Sequence, residues 1–430
     1  MEYKTVVTSF LVADGKVLLL RRSGKVATHQ GKWAAVSGYL EGSEDPLQRA
    51  QIEIQEELDL SPEHISLVRA GEALRAYDEK TKTVWIVQPF LFETQSKTIR
   101  LDWESTEYRW VNPNELGSYE TVPKLEQTFD RVRCNLQSAP AALAKVLAAV
   151  DALAQDRVHG ASALGRSALQ LLSATTETSE AANAEEIFCK LLFVASRLRK
   201  AQPAMANVRN LVGMLLCQAS QKKNSVAAAE YGKLIRSLVE EVAQHSRDAS
   251  EDASRNAVAL LPEGGCVLTH SYSSTVLRAL ELGMKGRRKF QVYATESYPG
   301  MEGKQLAKAL VDVGVPVKLV ADLAVGSVIP DVDVVLVGAD SVLTDGSLLH
   351  KVGTKNIATA ANERGILFYS ACETAKFSTA DFLGIQVQTS NDLFDVTPSR
   401  YVSKYMTETG AVEAREVESR IRLMLNEIYP

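Results

Sequence analysis

Apolar runs at Phe10–Ala13 and within Lys16–Arg22 lie on either side of Asp14-Gly15. Short apolar runs bounded by turn residues read as strands, and an Asp-Gly pair between two such runs marks a hairpin turn. Further strands are predicted near Val84–Phe92 and Tyr108–Val111. A helix is predicted from Asp45-Pro46, a capping side chain followed by a proline whose missing N–H costs nothing at the first helical position. From about residue 137 the period changes: Leu143, Val146, Leu147, Val150 and Leu153 recur at helical spacing, as do Ile187, Leu191, Val194 and Leu198. Pro203 stops the chain after them. Beyond Gly264-Gly265, short apolar runs alternate with amphipathic stretches: Cys266–His270, Phe290–Ala294, Val317–Val320, Val332–Val337 and Ile366–Ser370. Strand, helix, strand at this spacing predicts a parallel sheet covered on both faces, with ligands beyond the carboxyl ends of its strands.

The chain therefore reads as an α/β multidomain protein: an α+β domain over 1–132, a helical subdomain over 137–258, and a Rossmann-like doubly wound sheet over 259–430. Its 430 residues are enough for two or three domains, each with a core of its own. A net charge of −5 provides no broad field for nucleic acid or anionic membrane, so neither is expected as a direct partner. No apolar run approaches the roughly 18 residues of a membrane span. Five scattered cysteines without CxxC spacing argue for a reducing compartment and against a disulfide framework or zinc site. A strand-like run at Thr5, Val6 and Val7 leaves no signal or transit peptide in this reading, and a cytoplasmic protein is expected.

Candidate chemistry begins on the predicted helix. Glu53, Glu56 and Glu57 are spaced i, i+3, i+4 and share one face, while Leu47, Ala50, Ile54 and Leu58 form a face that can bury. Clustered carboxylates repel, and a hard divalent cation relieves that repulsion, so Mg²⁺ or Mn²⁺ is the expected cofactor. A cation there would bridge phosphate oxygens and favour a hydroxide nucleophile. Gly38 permits the tight loop into the helix, next to bound phosphate. Gly38, Glu44, Glu53, Ile54, Glu56, Glu57 and Leu60 together resemble the Nudix box, and Leu18–Arg22 and Trp33 also look like that family. The resemblance implies a Nudix fold and pyrophosphate hydrolysis, with the three glutamates as catalytic and metal-binding residues. The box arginine is Ile52 here and the late glycine is Asp59, departures that bear on turnover.

The second half carries spaced motifs: Val158-His159-Gly160-Ala161, Pro203-Ala204-Met205-Ala206-Asn207, Leu268–Ser274, Thr295–Pro299 with Gly303, Val337–Asp340, Lys351–Thr354 and Phe394–Pro398. Thr269–Ser274 is a hydroxyl-rich turn between strand and helix, which can offer backbone N–H groups to a phosphate or simply cap the helix. Lys351-Val352-Gly353-Thr354 combines a cation with a close backbone approach, and Asp340 ends a buried strand, where a carboxylate is costly unless functional or paired. In this order the motifs resemble the family shared by the regulatory subunits of eukaryotic initiation factor 2B, ribose-1,5-bisphosphate isomerase and methylthioribose-1-phosphate isomerase. The resemblance implies a sugar-phosphate or nucleotide ligand held by Gly160, Ala161, His270, Ser273, Glu296 and Lys351, and at least a homodimer through this module. It also implies an acid–base pair at Ser271 and Asp340, where the isomerases place cysteine and aspartate. A serine hydroxyl titrates far too high to exchange protons unaided. His159 and Tyr298 stand where the isomerases direct arginines at phosphate, a loss of permanent bidentate charge. His270 reads as a packed residue more than as a base.

These features converge on a Mg²⁺-dependent hydrolase of a nucleoside diphosphate-linked compound, joined to a module that binds a sugar phosphate or nucleotide. Two alternatives stand beside it: a bifunctional enzyme with a working ribose-phosphate isomerase, and a non-catalytic assembly protein of the initiation factor 2B type.

Overall fold

A computed structural model describes residues 2–428 apart from 43, 72, 79–81, 134–142, 178–183, 224–225, 384, 386 and 388–391. The N-terminal sheet has eight strands: β1 (Glu2–Ala13), β2 (Lys16–Arg22), β3 (Trp33–Ala34), β4 (Val36–Tyr39), β5 (Ile65–Ala70), β6 (Leu74–Asp78), β7 (Thr83–Thr94) and β8 (Ser105–Val111). Two helices complete it, α1 (Pro46–Leu58) and α2 (Leu125–Arg133). Asp45 caps α1 by accepting from Gln48 N at 2.9 Å. Asp59 ends it in the left-handed conformation at φ 55°. That is the conformation a box glycine provides, and a short polar side chain tolerates it, so the glycine-to-aspartate departure leaves the helix end intact. Ala50, Ile54 and Leu58 of α1 bury against Val7, Leu11, Phe90 and Phe92.

β1 and β7 run parallel, and their alternation sends side chains to two destinations. On one face Val6, Thr8, Trp85 and Val87 line a cavity. On the other, Val84 and Ile86 are wholly buried in a core shared with Phe377, Tyr405, Leu425 and Ile428 of the C-terminal half. Tyr3 Oη on that face donates to Arg422 O at 2.9 Å, and Thr5 Oγ1 donates to Phe382 O. The N-terminal sheet and the C-terminal half thus share one hydrophobic core.

Five helices follow: α3 (Ala144–Gln155), α4 (Ala161–Glu177), α5 (Ala184–Ala201), α6 (Ala206–Lys222) and α7 (Ala228–Ala257). Their inward faces meet around Leu164, Leu169, Leu191, Leu211, Leu215 and Tyr231. Beyond them lies a seven-stranded sheet of β9 (Gly265–Thr269), β10 (Phe290–Thr295), β11 (Val317–Val320), β12 (Val334–Val337), β15 (Leu367–Ala371), β17 (Lys404–Thr407) and β18 (Gly410–Val412). Its order is β11-β10-β9-β12-β15-β17-β18, parallel except for the last pair. Helices α8 (Ser274–Lys285), α9 (Glu302–Asp312), α10 (Val325–Val328), α11 (Thr354–Glu363) and α12 (Val417–Ile428) accompany it. A small antiparallel sheet of β13 (Ser341–Val342), β14 (Leu348–Lys351) and β16 (Phe394–Thr397) caps the carboxyl ends. Strand order reverses between β9 and β12, and ligands of doubly wound sheets sit at such a reversal.

Among the described residues no helix is long and apolar enough to cross a membrane. Among the described residues Cys217, Cys266 and Cys372 are free and buried, and Cys189 is disulfide-bonded, a single bond and not a framework.

Candidate functional sites

The first cavity, of about 540 Å³, lies over the N-terminal sheet. Its acidic end carries Glu41, Glu44, Glu53, Glu56 and Glu104, with Arg22 and Arg49 beside them. Gly38 lets the Glu53 carboxylate sit against the backbone there, since a Cβ on it would lie 1.6 Å from Glu53 Oε1 and displace it.

The three glutamates of α1 are not the unpaired, convergent set expected. The guanidinium of Arg49 holds Glu53 Oε1 and lies 3.7 Å from Glu56 Oε2. Glu57 turns inward, where its Oε1 accepts from Ser37 N at 3.0 Å, and Glu56 stays exposed. Among the described residues, no group of three or more His, Cys, Asp and Glu side chains is arranged to hold a metal ion. The geometric reason is Arg49: one helical turn before Glu53, it lies on the glutamate stripe and takes a carboxylate oxygen. Ile52, at the box position, is 44% exposed and points off that stripe. Within the same helix, Arg49 supplies a guanidinium to Glu53 that Ile52 cannot.

The donor chemistry nevertheless fits a hard dication. Burial pushes the carboxyl of Glu57 well above its ordinary range, with Glu104, Glu53 and Asp102 adding repulsion. Burial raises Glu53 as well, against the opposing pull of Arg49. Glu104 is raised by burial and by Asp102, Arg22 opposing. An all-oxygen cluster that strains to stay charged is one that a divalent cation relieves. Glu104 was not singled out from sequence. It stands far along the chain from the box, and only the pairing of β2 with β8 brings it near.

The second cavity, of about 580 Å³, opens where strand order reverses. Ser271, Ser273 and Asp340 line it, together with Gly160, Ala161 and Lys351. Ser271 follows β9 at φ 64° and its N–H donates to Ser297 Oγ at 2.7 Å. Ser273 caps α8, its Oγ accepting from Val276 N. Lys351 is buried, not solvated, and donates to Glu302 Oε1. Glu302 Oε2 is buried without a hydrogen-bond partner. Behind the wall, fully buried Glu373 accepts from Ser162 Oγ at 2.7 Å and lies 3.9 Å from Lys376 Nζ.

Two predicted ligand contacts fall elsewhere. His270 is packed behind the wall, its Nε2 donating to Val352 O at 3.0 Å and its Nδ1 meeting Thr295 Oγ1. A carbonyl can only accept, so Nε2 carries a proton, and burial lowers the ring's proton affinity. Glu296 pairs with Lys304 at 3.3 Å, outside the residues lining the cavity. Of the positions where isomerases carry arginine, His159 lines the cavity and pairs with Asp156 at 2.7 Å, while Tyr298 is 72% exposed. Glu302, Lys376 and Arg166, which also line it, were missed; each is an ordinary charge in a polar stretch until the topology gathers them.

Burial pushes Asp340 up to about 6, with Lys376 and Lys351 opposing and Glu302 adding to the rise. A folded-state pKa above the unfolded value means that folding loses stability as pH climbs through about 6. Asp340→Asn is therefore expected to be more stable than the wild type at pH 8, by up to on the order of 2 kcal/mol. The gap should close as pH falls below the ordinary aspartate range. Urea melts at both extremes check it, and an equal gap at both would contradict it.

A buried-carboxylate cavity on an α+β sheet, and a second cavity at the reversal of a doubly wound sheet, define a two-part α/β protein. Residues 157–384 match the Initiation factor 2 subunit family over more than half the chain, and residues 3–132 match the NUDIX domain. The chain belongs to the Initiation factor 2 subunit family and carries a NUDIX domain ahead of that region. It is 28% identical over 279 residues to a putative translation initiation factor eIF-2B subunit 2-like protein of Pyrococcus horikoshii, covering 62% of this chain and 96% of that one. It is 29% identical over 292 residues to the ribose 1,5-bisphosphate isomerase of Archaeoglobus fulgidus, covering 62% and 90%. The crystal structure of the Pyrococcus horikoshii translation initiation factor eIF-2B superposes with a TM-score of 0.56 at 26% identity, covering 64% of this chain and 98% of that one.

Proposed function

We propose that the N-terminal domain hydrolyses a nucleoside diphosphate-linked compound with the help of Mg²⁺ or Mn²⁺, and that the second cavity binds a sugar phosphate or nucleotide. The observation that carries the first part is the pair of buried carboxyls, Glu53 and Glu57, pushed up in proton affinity beside a cavity that also presents Arg22 and Arg49. Glu53, Glu56 and Glu57 would hold the cation, with Glu104 facing them. A bound dication neutralises phosphate oxygens and lowers the pKa of water. Arg49 fixes the rotamer of Glu53, and Ser37 N–H fixes that of Glu57. Arg22 supplies permanent positive charge for phosphate oxygens.

Glu57→Gln keeps the shape and removes the charge. Turnover of nucleoside diphosphate sugars with Mg²⁺ should fall about 10²–10⁴-fold, the scale of several kcal/mol of lost charge stabilisation. Unchanged turnover in both Glu57→Gln and Glu56→Gln would end the hydrolase assignment.

For the second cavity, the support is Lys351, Lys376 and Arg166 lining one pocket with a free Glu302 oxygen that can accept from a hydroxyl. Ribose phosphate or AMP at 100 times Kd should raise stability by about 2.7 kcal/mol, read by thermal shift. Cleavage of an ADP-ribose-like substrate in the first cavity would release ligands of this kind. A working isomerase is a second reading, favoured by Asp340 near 6 in that pocket. Ser271→Cys raising a weak isomerase activity would mark a lost function, and robust wild-type turnover would establish a live one. Self-association through the second module belongs to this proposal, as does residence in the cytoplasm.

A further inference from the structure

The first cavity has two chemically different ends. Beyond the acidic end, its floor is apolar, formed by Val6, Ala76 and Val87, and its rim carries two aromatic rings. Tyr39 and Trp85 stand with centroids 5.7 Å apart and planes at 48°. Tyr39 is 52% exposed although it lies on the cavity rim, one residue after the glycine against which Glu53 packs. Lys4 Nζ lies 5.8 Å and 5.9 Å from the two ring centres. Chain connectivity therefore ties the ring to the carboxylate cluster: Gly38 abuts the phosphate-handling end and Tyr39 begins the aromatic one.

We propose that Tyr39, backed by Trp85, is the platform on which the base of a nucleoside diphosphate stacks, and that it selects nucleotides over diphosphates that lack a planar ring. This rests on the hydrolase reading above and adds the source of its specificity. An exposed aromatic face in a wet cavity is stabilised by covering it with another planar ring, and every base has such a face. An adjacent ammonium adds attraction to the rings. Inorganic pyrophosphate engages only the acidic end.

The test is calorimetric titration of the full chain with α,β-methylene-ADP and, separately, with pyrophosphate, both in Mg²⁺. Tyr39→Ser should weaken the nucleotide roughly ten- to hundredfold at one class of sites, the scale of one lost base stack. Tyr39→Phe should hold affinity within about twofold, since the ring face remains. Pyrophosphate should be indifferent to both substitutions. Nucleotide affinity unchanged in Tyr39→Ser overturns the platform even where wild-type hydrolysis is found. Equal weakening of pyrophosphate also overturns it, by placing Tyr39 at the phosphate end. Tyr39-dependent nucleotide binding by a chain that hydrolyses nothing would keep the platform and remove the hydrolase reading instead.

Discussion

Ile86→Asp should leave the chain unable to fold at 37 °C. Ile86 is wholly buried on the face of β7 that completes the C-terminal core, among Phe377, Tyr405 and Leu425. Arg75 of β6 stands opposite it, but taking a carboxylate into that apolar cluster still costs several kcal/mol, whether it stays charged beside the guanidinium or takes up a proton. Native domains retain only about 5–15 kcal/mol in total. Ile86→Val, by contrast, removes one methylene and should cost about 0.5–1.5 kcal/mol. The informative result is that both halves melt together in each variant, seen by following near-ultraviolet dichroism and hydrogen exchange in each half. Independent melting, with the C-terminal half unaffected by Ile86→Asp, would show that the shared core contributes little.

Gly38→Ala tests the first cavity with the opposite signature, intact folding and lost function. The new Cβ would stand 1.6 Å from Glu53 Oε1 and 2.0 Å from its carboxyl carbon. Neither can share that space, so Glu53 must rotate out and release Arg49. Turnover should fall at least about a hundredfold, because a misplaced ligand loses charge stabilisation at the transition state. Cation affinity, read by Mn²⁺ paramagnetic relaxation, should fall with it. Stability should change by no more than about 1–2 kcal/mol, since the displaced carboxylate can reach solvent. Full turnover in Gly38→Ala would mean that Glu53 is not needed where it stands.

Local chemistry was legible and long-range assembly was not. Asp45-Pro46 marked the start of α1 because a cap and a proline act within one turn, and the cap forms as read. The apolar run at Phe290–Ala294 marked β10 because a buried parallel strand can be recognised by composition, and Val317–Val320 marked β11 although that strand is the sheet's edge, with Lys318 and Leu319 exposed. The run Val84–Phe92 was legible as a strand, yet its mostly apolar composition did not say that Val84 and Ile86 enter one core while Phe90 and Phe92 enter another. The capping sheet of β13, β14 and β16 escaped because two of its strands are short and its third, Phe394–Thr397, was read only as part of a motif. Glu302, Glu373 and Lys376 carry no pattern of their own. Their meaning comes from burial and from the partners the fold gives them, Lys351 for Glu302 and the distant Ser162 for Glu373.

Arg49 has a consequence for how such chains are found. An ion pair constrains where a charge sits in space, and on a helix a residue four places before Glu53 reaches it as readily as a neighbour on another face. A search that demands arginine at one fixed offset from the glutamates would discard this chain as spent. A pattern allowing the guanidinium to migrate by a turn would keep it, along with any relatives that made the same exchange.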